Sequence, residues 1–198
     1  TVIQKAEDLN SKTLRLGLDF FVDEVNTTNL NKESAACSIV AYKEITNEQI
    51  NFKEILENTS LLGRCDVKGK FVLDVSHNLA SVRNLVSFIN KECKGKSIKA
   101  IVGLMQDKDI TGIIKEIKDV ISEWYACSPD IDRAMPSSDL KELILKQTLS
   151  KAEAFESVDL AVKEAVKDDS TDIVIVFGSF FTVSEAYESL SKLKQIDL

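Results

Sequence analysis

Asp172-Ile173-Val174-Ile175-Val176-Phe177 is the stretch that decides the fold. Its five apolar residues run on without alternation, so both faces of the strand must be covered. That is the condition of a strand inside a parallel sheet flanked by helices. Gly178-Ser179 ends the run, and Thr182 with Glu185 makes a T-x-x-E capping box for a helix that turns Val183, Ala186, Tyr187 and Leu190 inward. The same alternation repeats toward the amino terminus. Phe71-Val72-Leu73-Asp74-Val75 reads as a strand, and Leu79, Val82, Leu85, Val86 and Ile89 follow at helical spacing behind an Asn78 cap. Ile98 to Gly103 is a second strand, followed by the stripe Ile110, Ile113, Ile114, Ile117 and Ile121. Trp124 to Cys127 is a short third strand closed by Pro129, and Ser137 to Lys146 is a helix. Lys151 to Phe155 is a weaker fourth strand, and Ser157 caps a helix with Val158, Ala161, Val162, Ala165 and Val166 inward. Five strand–helix alternations predict an α/β fold: a mostly parallel, doubly wound, Rossmann-like sheet with helices on both faces and right-handed crossovers.

The first 62 residues read differently. Residues 1–14 are expected to be helical, Leu16 to Val25 a strand, and Thr27 to Lys32 a polar break. Ser34 to Glu44 and Glu48 to Glu57 read as two helices, the second behind a Thr46…Gln49 capping box. These pieces do not make an evident core of their own, so residues 1–62 and 63–198 are expected to be separate domains.

Composition narrows the function classes. Against 25 Lys and Arg stand 32 Asp and Glu, a net charge of −7 with no basic block, which argues against a nucleic acid or a membrane surface as partner. No apolar run approaches the roughly 18–20 residues that span a bilayer, and Thr1 opens into a polar pattern rather than a signal peptide. Cys37, Cys65, Cys93 and Cys127 have neither C-x-x-C pairing nor metal-ligand spacing; isolated thiols of this kind fit the cytoplasm. A monomer is expected.

In open parallel sheets, ligands bind beyond the carboxyl ends of the strands, where loops lead into helix starts. Three loops qualify: Ser76-His77-Asn78, Gly103 to Asp109, and Gly178-Ser179-Phe180-Phe181. His77 is the single histidine, three residues after Asp74; the pair offers an imidazole and a carboxylate, or a structural histidine and a solvated strand-end acid. Ser179 stands before a helix start, where free N–H groups and a hydroxyl hold an anion or simply make a tight turn. Lys108, between Asp107 and Asp109, either meets an anionic substrate or belongs to a solvated loop. Arg64, after Gly63, is a cation ready for phosphate or an ordinary linker arginine. No G-x-x-x-x-G-K-[ST] and no G-x-G-x-x-G is present in these 198 residues, and one histidine without an elbow motif supports no nucleophile triad.

Taken in order, Leu62-Gly63-Arg64, Leu73-Asp74-Val75-Ser76-His77-Asn78, Gly103-Leu104-Met105-Gln106-Asp107-Lys108-Asp109 and Val176-Phe177-Gly178-Ser179-Phe180-Phe181-Thr182-Val183 form a series. The series resembles the carboxy-terminal domain of folylpolyglutamate synthase/dihydrofolate synthase, within the Mur ligase superfamily. The resemblance runs from about Leu61 to the end and more loosely over 1–60. It implies an ATP-dependent amide ligase in which ATP and Mg²⁺ phosphorylate a carboxylate of dihydropteroate or folate and L-glutamate attacks the acyl phosphate. It also implies that the phosphate loop and the magnesium ligands lie on an amino-terminal ATPase domain outside this chain. Residues 1–62 would then be the remnant of that central domain and its hinge, and the fragment alone would be inactive. Carried over by residue, Arg64 would contact ATP phosphates, Asp74 the ribose side, and His77 and Ser179 the incoming glutamate or the acyl phosphate, with Lys108 near an anionic substrate. Ser34-Ala35-Ala36 stands where the family carries an adenine-contacting Asn-Ala-Ala, and the segment from Asp19 to Asn31 is shorter than its equivalent. A peptidoglycan-precursor ligase of the same superfamily and a non-catalytic ligand-binding module are the alternatives.

Overall fold

The structure, a computed structural model, describes residues 1–22, 25, 30–59, 61–168 and 170–196. The chain divides into two compact units, Thr1–Leu61 and Leu62–Leu198.

The first unit holds three helices among its described residues: α1 Val2–Asp8, α2 Lys32–Ile45 and α3 Phe52–Asn58. Its core is small, with Val25, Ala35 and Ala36 buried and Phe20, Val22, Ile39 and Leu56 packed against them. Three expectations are corrected here. The first helix stops at Asp8 instead of reaching residue 14, because Asn10 turns the chain into the left-handed region at φ 51°. The Thr46…Gln49 box does not form: Thr46 ends α2, donating its N–H to the Tyr42 carbonyl, and the following helix begins only behind Asn51, whose side chain accepts from the Glu54 N–H. No strand forms over the described part of Leu16 to Val25; Leu16 and Phe20 make an isolated bridge. Residues 23 and 24 of that span, half of the polar break at Thr27 to Lys32 (residues 27–29) and much of the Asp19-to-Asn31 segment lie outside the described residues.

The second unit is one six-stranded sheet among the described residues. Its strands are β1 Asp66–Lys68, β2 Phe71–Asp74, β3 Ile98–Val102, β4 Glu123–Cys127, β5 Lys151–Phe155 and β6 Ile173–Phe177. The order across the sheet is β1-β2-β6-β3-β4-β5, so the strand that comes late in the chain sits in the middle. All neighbours pair in parallel except β1, which runs antiparallel to β2. The β1–β2 hairpin was not anticipated. Its two-residue loop is Gly69-Lys70, and Gly69 takes φ 59°, a conformation that a glycine adopts without a side-chain clash.

Five helices complete the unit: α4 Leu79–Glu92, α5 Ile110–Ile117, α6 Ser137–Gln147, α7 Val158–Lys167 and α8 Phe180–Lys192. The apolar stripes of α4, α5 and α6 pack on one face, with Val72, Ala100, Val102, Trp124, Ile175 and Phe177 from the strands. Those of α7 and α8 pack on the other, with Leu73, Ile101, Tyr125, Val174 and Val176. Every residue of β2, β3 and β6 is buried; β6 is apolar throughout, whereas β3 carries Lys99 and β2 ends in Asp74. The stripe read as continuing to Ile121 is cut at Ile117, where the chain tightens into a 3₁₀ turn over Lys118–Val120.

Candidate functional site

Register brings the three ligand-facing loops together. Asp74, Phe177 and Val102 are paired across β2, β6 and β3, so the chain leaves all three strands at one level. After β2 and β3 it enters helices on one face; after β6 it enters α8 on the other. The strand order therefore places a topological switch point at β6, the position where open α/β sheets form a crevice.

The crevice floor is built by close backbone approach. A Cβ on Gly178 would lie 2.3 Å from the Gly103 carbonyl oxygen, and one on Gly103 would lie 2.7 Å from the Thr182 hydroxyl. The Thr182 hydroxyl donates to the Gly103 carbonyl at 2.8 Å, so its one proton is committed there. It follows that the Ser179 hydroxyl, 2.8 Å away, donates to Thr182 Oγ1 while accepting from the Thr182 N–H at 3.0 Å. Ser179 is thus the buried N-cap of α8, and the expected Thr182…Glu185 box is corrected: Thr182 is the third residue of the helix, and Glu185 accepts instead from the Asp130 N–H at 2.8 Å.

Asp74 is likewise buried and bonded on both oxygens. Oδ1 accepts from the Ser76 N–H at 2.8 Å and from the Ser76 hydroxyl; Oδ2 accepts from the Cys65 N–H at 2.8 Å and faces the Cys65 thiol at 3.4 Å. Burial, and then the Asp74 carboxylate beside it, pushes the Cys65 thiol far up, so it stays neutral. His77 follows directly. Its Nδ1 lies 2.9 Å from the Val75 carbonyl, which can only accept, so Nδ1 carries the proton and Nε2 is left to meet a partner.

Around this floor the side chains form a cationic and aromatic rim. Phe180, 61% exposed, stands between two of the expected site residues: its ring centroid is 6.3 Å from that of His77 and 5.9 Å from the Arg64 guanidinium carbon. Phe181 is matched in the same way by Arg133, at 5.9 Å. Among the described residues neither Arg64 nor Arg133 has a carboxylate within ion-pair distance, and the N–H groups of Phe180 and Phe181 donate to nothing. The loop carrying Arg133 is fastened beside β3, with its carbonyl accepting from Gln106 and Met135 donating to Leu104.

Of the expected site residues, then, Arg64 and His77 are brought together through Phe180, with Asp74 and Ser179 beneath them in the floor. Lys108 pairs with its neighbour Asp107 at 2.7 Å, and that contact holds the Asp107 carboxyl below its ordinary range. Ser34 belongs to the first unit, in the first turn of α2, where its N–H donates to the Asn31 side chain at 2.9 Å. The sequence reading missed Arg133 and the two rings as site members. The signal was present in Phe180-Phe181 directly behind a capping serine, since two bulky apolar residues at a helix start rarely both find a core.

These features define a doubly wound unit of the Rossmann-like class, with two arginines at the strand-end crevice that have no carboxylate partner among the described residues. The chain belongs to the Mur ligase family, whose glutamate ligase domain matches residues 63–180. It is 29% identical over 160 residues to the dihydrofolate synthase/folylpolyglutamate synthase of Buchnera aphidicola from Acyrthosiphon pisum, covering 79% of this chain and 38% of that protein. It is also 30% identical over 120 residues to the Escherichia coli protein of the same name, covering 60% of this chain and 27% of the relative. In structure it resembles E. coli FolC in complex with DHPP and ADP, with a TM-score of 0.85 at 21% identity over 98% of this chain and 51% of that one. A bifunctional folylpolyglutamate synthase/dihydrofolate synthase from Yersinia pestis matches with a TM-score of 0.77 at 26% identity, over 98% and 50%. The chain spans about half the length of these solved structures and less than half of the curated relatives.

Proposed function

We propose that residues 62–198 are the closing half of an ATP-dependent amide ligase that joins L-glutamate to a pterin-bearing carboxylic acid, dihydropteroate or folate, through an acyl phosphate. The observation that carries this reading is the α8 start. Among the described residues, the N–H groups of Phe180 and Phe181 have no acceptor there and two guanidiniums have no carboxylate, Arg64 over Phe180 beside His77 and Arg133 over Phe181, at the switch point of the sheet. Such a group neutralises an anion that gains charge, as an acyl phosphate does when an amine attacks it. Arg64 is assigned to a phosphate oxygen and Arg133 to a second anionic group. His77, with its Nδ1 proton held by Val75, is left with Nε2 to accept the proton that the attacking ammonium must lose, or to pair with a carboxylate once protonated. Lys108 would have to exchange Asp107 for the substrate. Asp74 and Ser179 support the crevice from within, and a direct ligand contact by either would require an existing hydrogen bond to give way. Ser34 is retained as the adenine-side residue of the first unit.

Magnesium is a further part of the proposal. Its ligands are assigned, as the family resemblance implies, to an amino-terminal ATPase domain outside these residues, and no step is drawn through the metal. Among the described helices none is long and apolar enough to cross a membrane, and a cytoplasmic monomer is part of the proposal.

The test is ATP- and Mg²⁺-dependent addition of glutamate to dihydropteroate by the full-length protein that contains this chain. Arg64→Ala is expected to lower kcat by about 10²-fold, the scale for loss of a charge-stabilising donor, and His77→Ala to lower it as well. Turnover unchanged in both variants, or vigorous turnover by these 198 residues alone, would overturn the reading. A second reading is favoured by one relative, the UDP-N-acetylmuramyl-tripeptide synthetase of Lacticaseibacillus paracasei, 28% identical over 129 residues. Activity only toward a nucleotide-sugar peptide acceptor would select it.

A further inference from the structure

We propose that Phe180 and Tyr187, both on α8, are positioning residues that hold Arg64 ready for its anion; this rests on the assignment of Arg64 to a phosphate made above. Two other arginines show the contrast. Arg15 and Arg83 are tied to carboxylates, Asp19 at 3.3 Å and Glu116 at 3.2 Å, whereas exposed Arg64 lies over the Phe180 ring. A carboxylate partner would occupy the N–H edge of the guanidinium. An aromatic face takes only its flat side, so the donors stay available to a phosphate. Phe180 gains little from burial at 61% exposure, which leaves this contact and the His77 contact as what its ring does.

The backbone of Arg64 is fixed from the same helix. The Gly63 N–H donates to the Tyr187 hydroxyl at 3.1 Å, and that hydroxyl in turn donates to the Asp66 carboxylate. The Val75 N–H donates to the Gly63 carbonyl at 2.9 Å, and the Cys65 N–H to Asp74 at 2.8 Å. Arg64 is thus bracketed by two residues in the left-handed region, Gly63 at φ 68° and Cys65 at φ 47°, each held by long-range hydrogen bonds. For Cys65 that conformation is strained and persists only where its surroundings impose it. Burial, with the Asp66 carboxylate as hydrogen-bond acceptor, raises the Tyr187 hydroxyl well above its ordinary range, so the proton that makes the bridge is not lost near neutral pH. One helix therefore fixes the anchor of the arginine through Tyr187, two turns along, and the side chain through its first residue.

The experiment observes the Arg64 side-chain Nε–H by NMR in the ¹⁵N-labelled 198-residue chain, assigned by its loss in Arg64→Lys. The wild-type proton is expected upfield, shifted by the Phe180 ring. The shift should vanish in Phe180→Leu and persist in Phe180→Tyr. Titration with inorganic triphosphate should move this resonance, and Phe180→Leu and Tyr187→Phe should each weaken the apparent affinity about 2- to 5-fold, the range of an exposed cation–π contact. Phe180 is exposed, so its variants keep the test independent of any effect of Tyr187→Phe on folding. If Arg64→Ala binds triphosphate as tightly as wild type, or wild type gives no response at millimolar triphosphate, the phosphate assignment fails and the inference with it. If Arg64→Ala weakens binding while Phe180→Leu and Tyr187→Phe match wild type, the positioning inference alone is overturned.

Discussion

At the scale of single residues, Gly178 combines two constraints that no other side chain meets. Its φ is 122°, and the space where a Cβ would go holds the Gly103 carbonyl oxygen at 2.3 Å. Gly178→Ala must therefore strain its own backbone and push β3 from β6 at the level of the crevice, so it should destabilise the fold by about 3 kcal/mol. Urea unfolding would show a lower midpoint at an unchanged slope. The residue scale also shows what the sequence could disclose. Asp74, His77 and Ser179 were legible as polar residues at strand ends, because period and punctuation locate strand ends, and Arg64 only as a cation in a linker before a strand. Which of them face a ligand was not legible. Asp74 is committed to Cys65, nine positions back, and Ser179 is linked through Thr182 to Gly103, 79 positions from Thr182. Such commitments depend on the sheet's register, which leaves no local trace.

At the scale of elements, helices were read well in their interiors and less well at their ends. The apolar stripes of α4 to α8 follow from burial of one face, and that is written in residue spacing. Starts depend on which hydroxyl or amide wins the first free N–H. Thr182…Glu185 had the spacing of a capping box, yet Ser179 holds that place because it sits three residues earlier, at the strand end, in extended conformation. Thr182 is instead a tie between α8 and β3. Thr182→Val keeps the shape but leaves the buried Gly103 carbonyl and the Ser179 hydroxyl without that partner. The expected cost is about 1–3 kcal/mol, read as a fall in the denaturation midpoint. The β1–β2 hairpin escaped notice for a different reason. Three residues with only partial burial carry too little pattern, and Gly69 alone does not announce a turn.

At the scale of the whole second unit, the strand ends opposite the crevice are held by charge. Lys99, at 2% side-chain exposure, is bonded to Asp168 at 2.5 Å, Tyr125 at 2.8 Å and Glu123 at 3.0 Å. Burial alone would lower the pKa of this ammonium, but the three oxygens outweigh it and hold it above the ordinary lysine range. The Lys99 contact, with Ser170, draws Asp168 below the ordinary carboxylate range. Lys99→Met should cost about 3 kcal/mol near neutral pH, the scale for breaking a buried ion pair on one side. The pH dependence follows from the signs. The Asp168 contribution is present above the unfolded pKa of about 3.9 and lost as pH falls toward its lower folded value. The Lys99 contribution is complete below about 10.4 and lost as pH rises through its higher folded value. The stability gap between wild type and Lys99→Met should therefore be widest at intermediate pH and narrow toward both extremes in denaturation curves. Strand order was the global property hidden from the sequence, since nothing local in residues 173–177 says that they enter between β2 and β3. That insertion also matters during synthesis. Of the strands described, β6 is the last to leave the ribosome, and until it does β2 and β3 have no common neighbour and face water with open inner edges. A transcript cut short before codon 173 would thus yield a protein already carrying most of its helices but lacking the strand that joins its sheet, a species for chaperones and proteases rather than for catalysis.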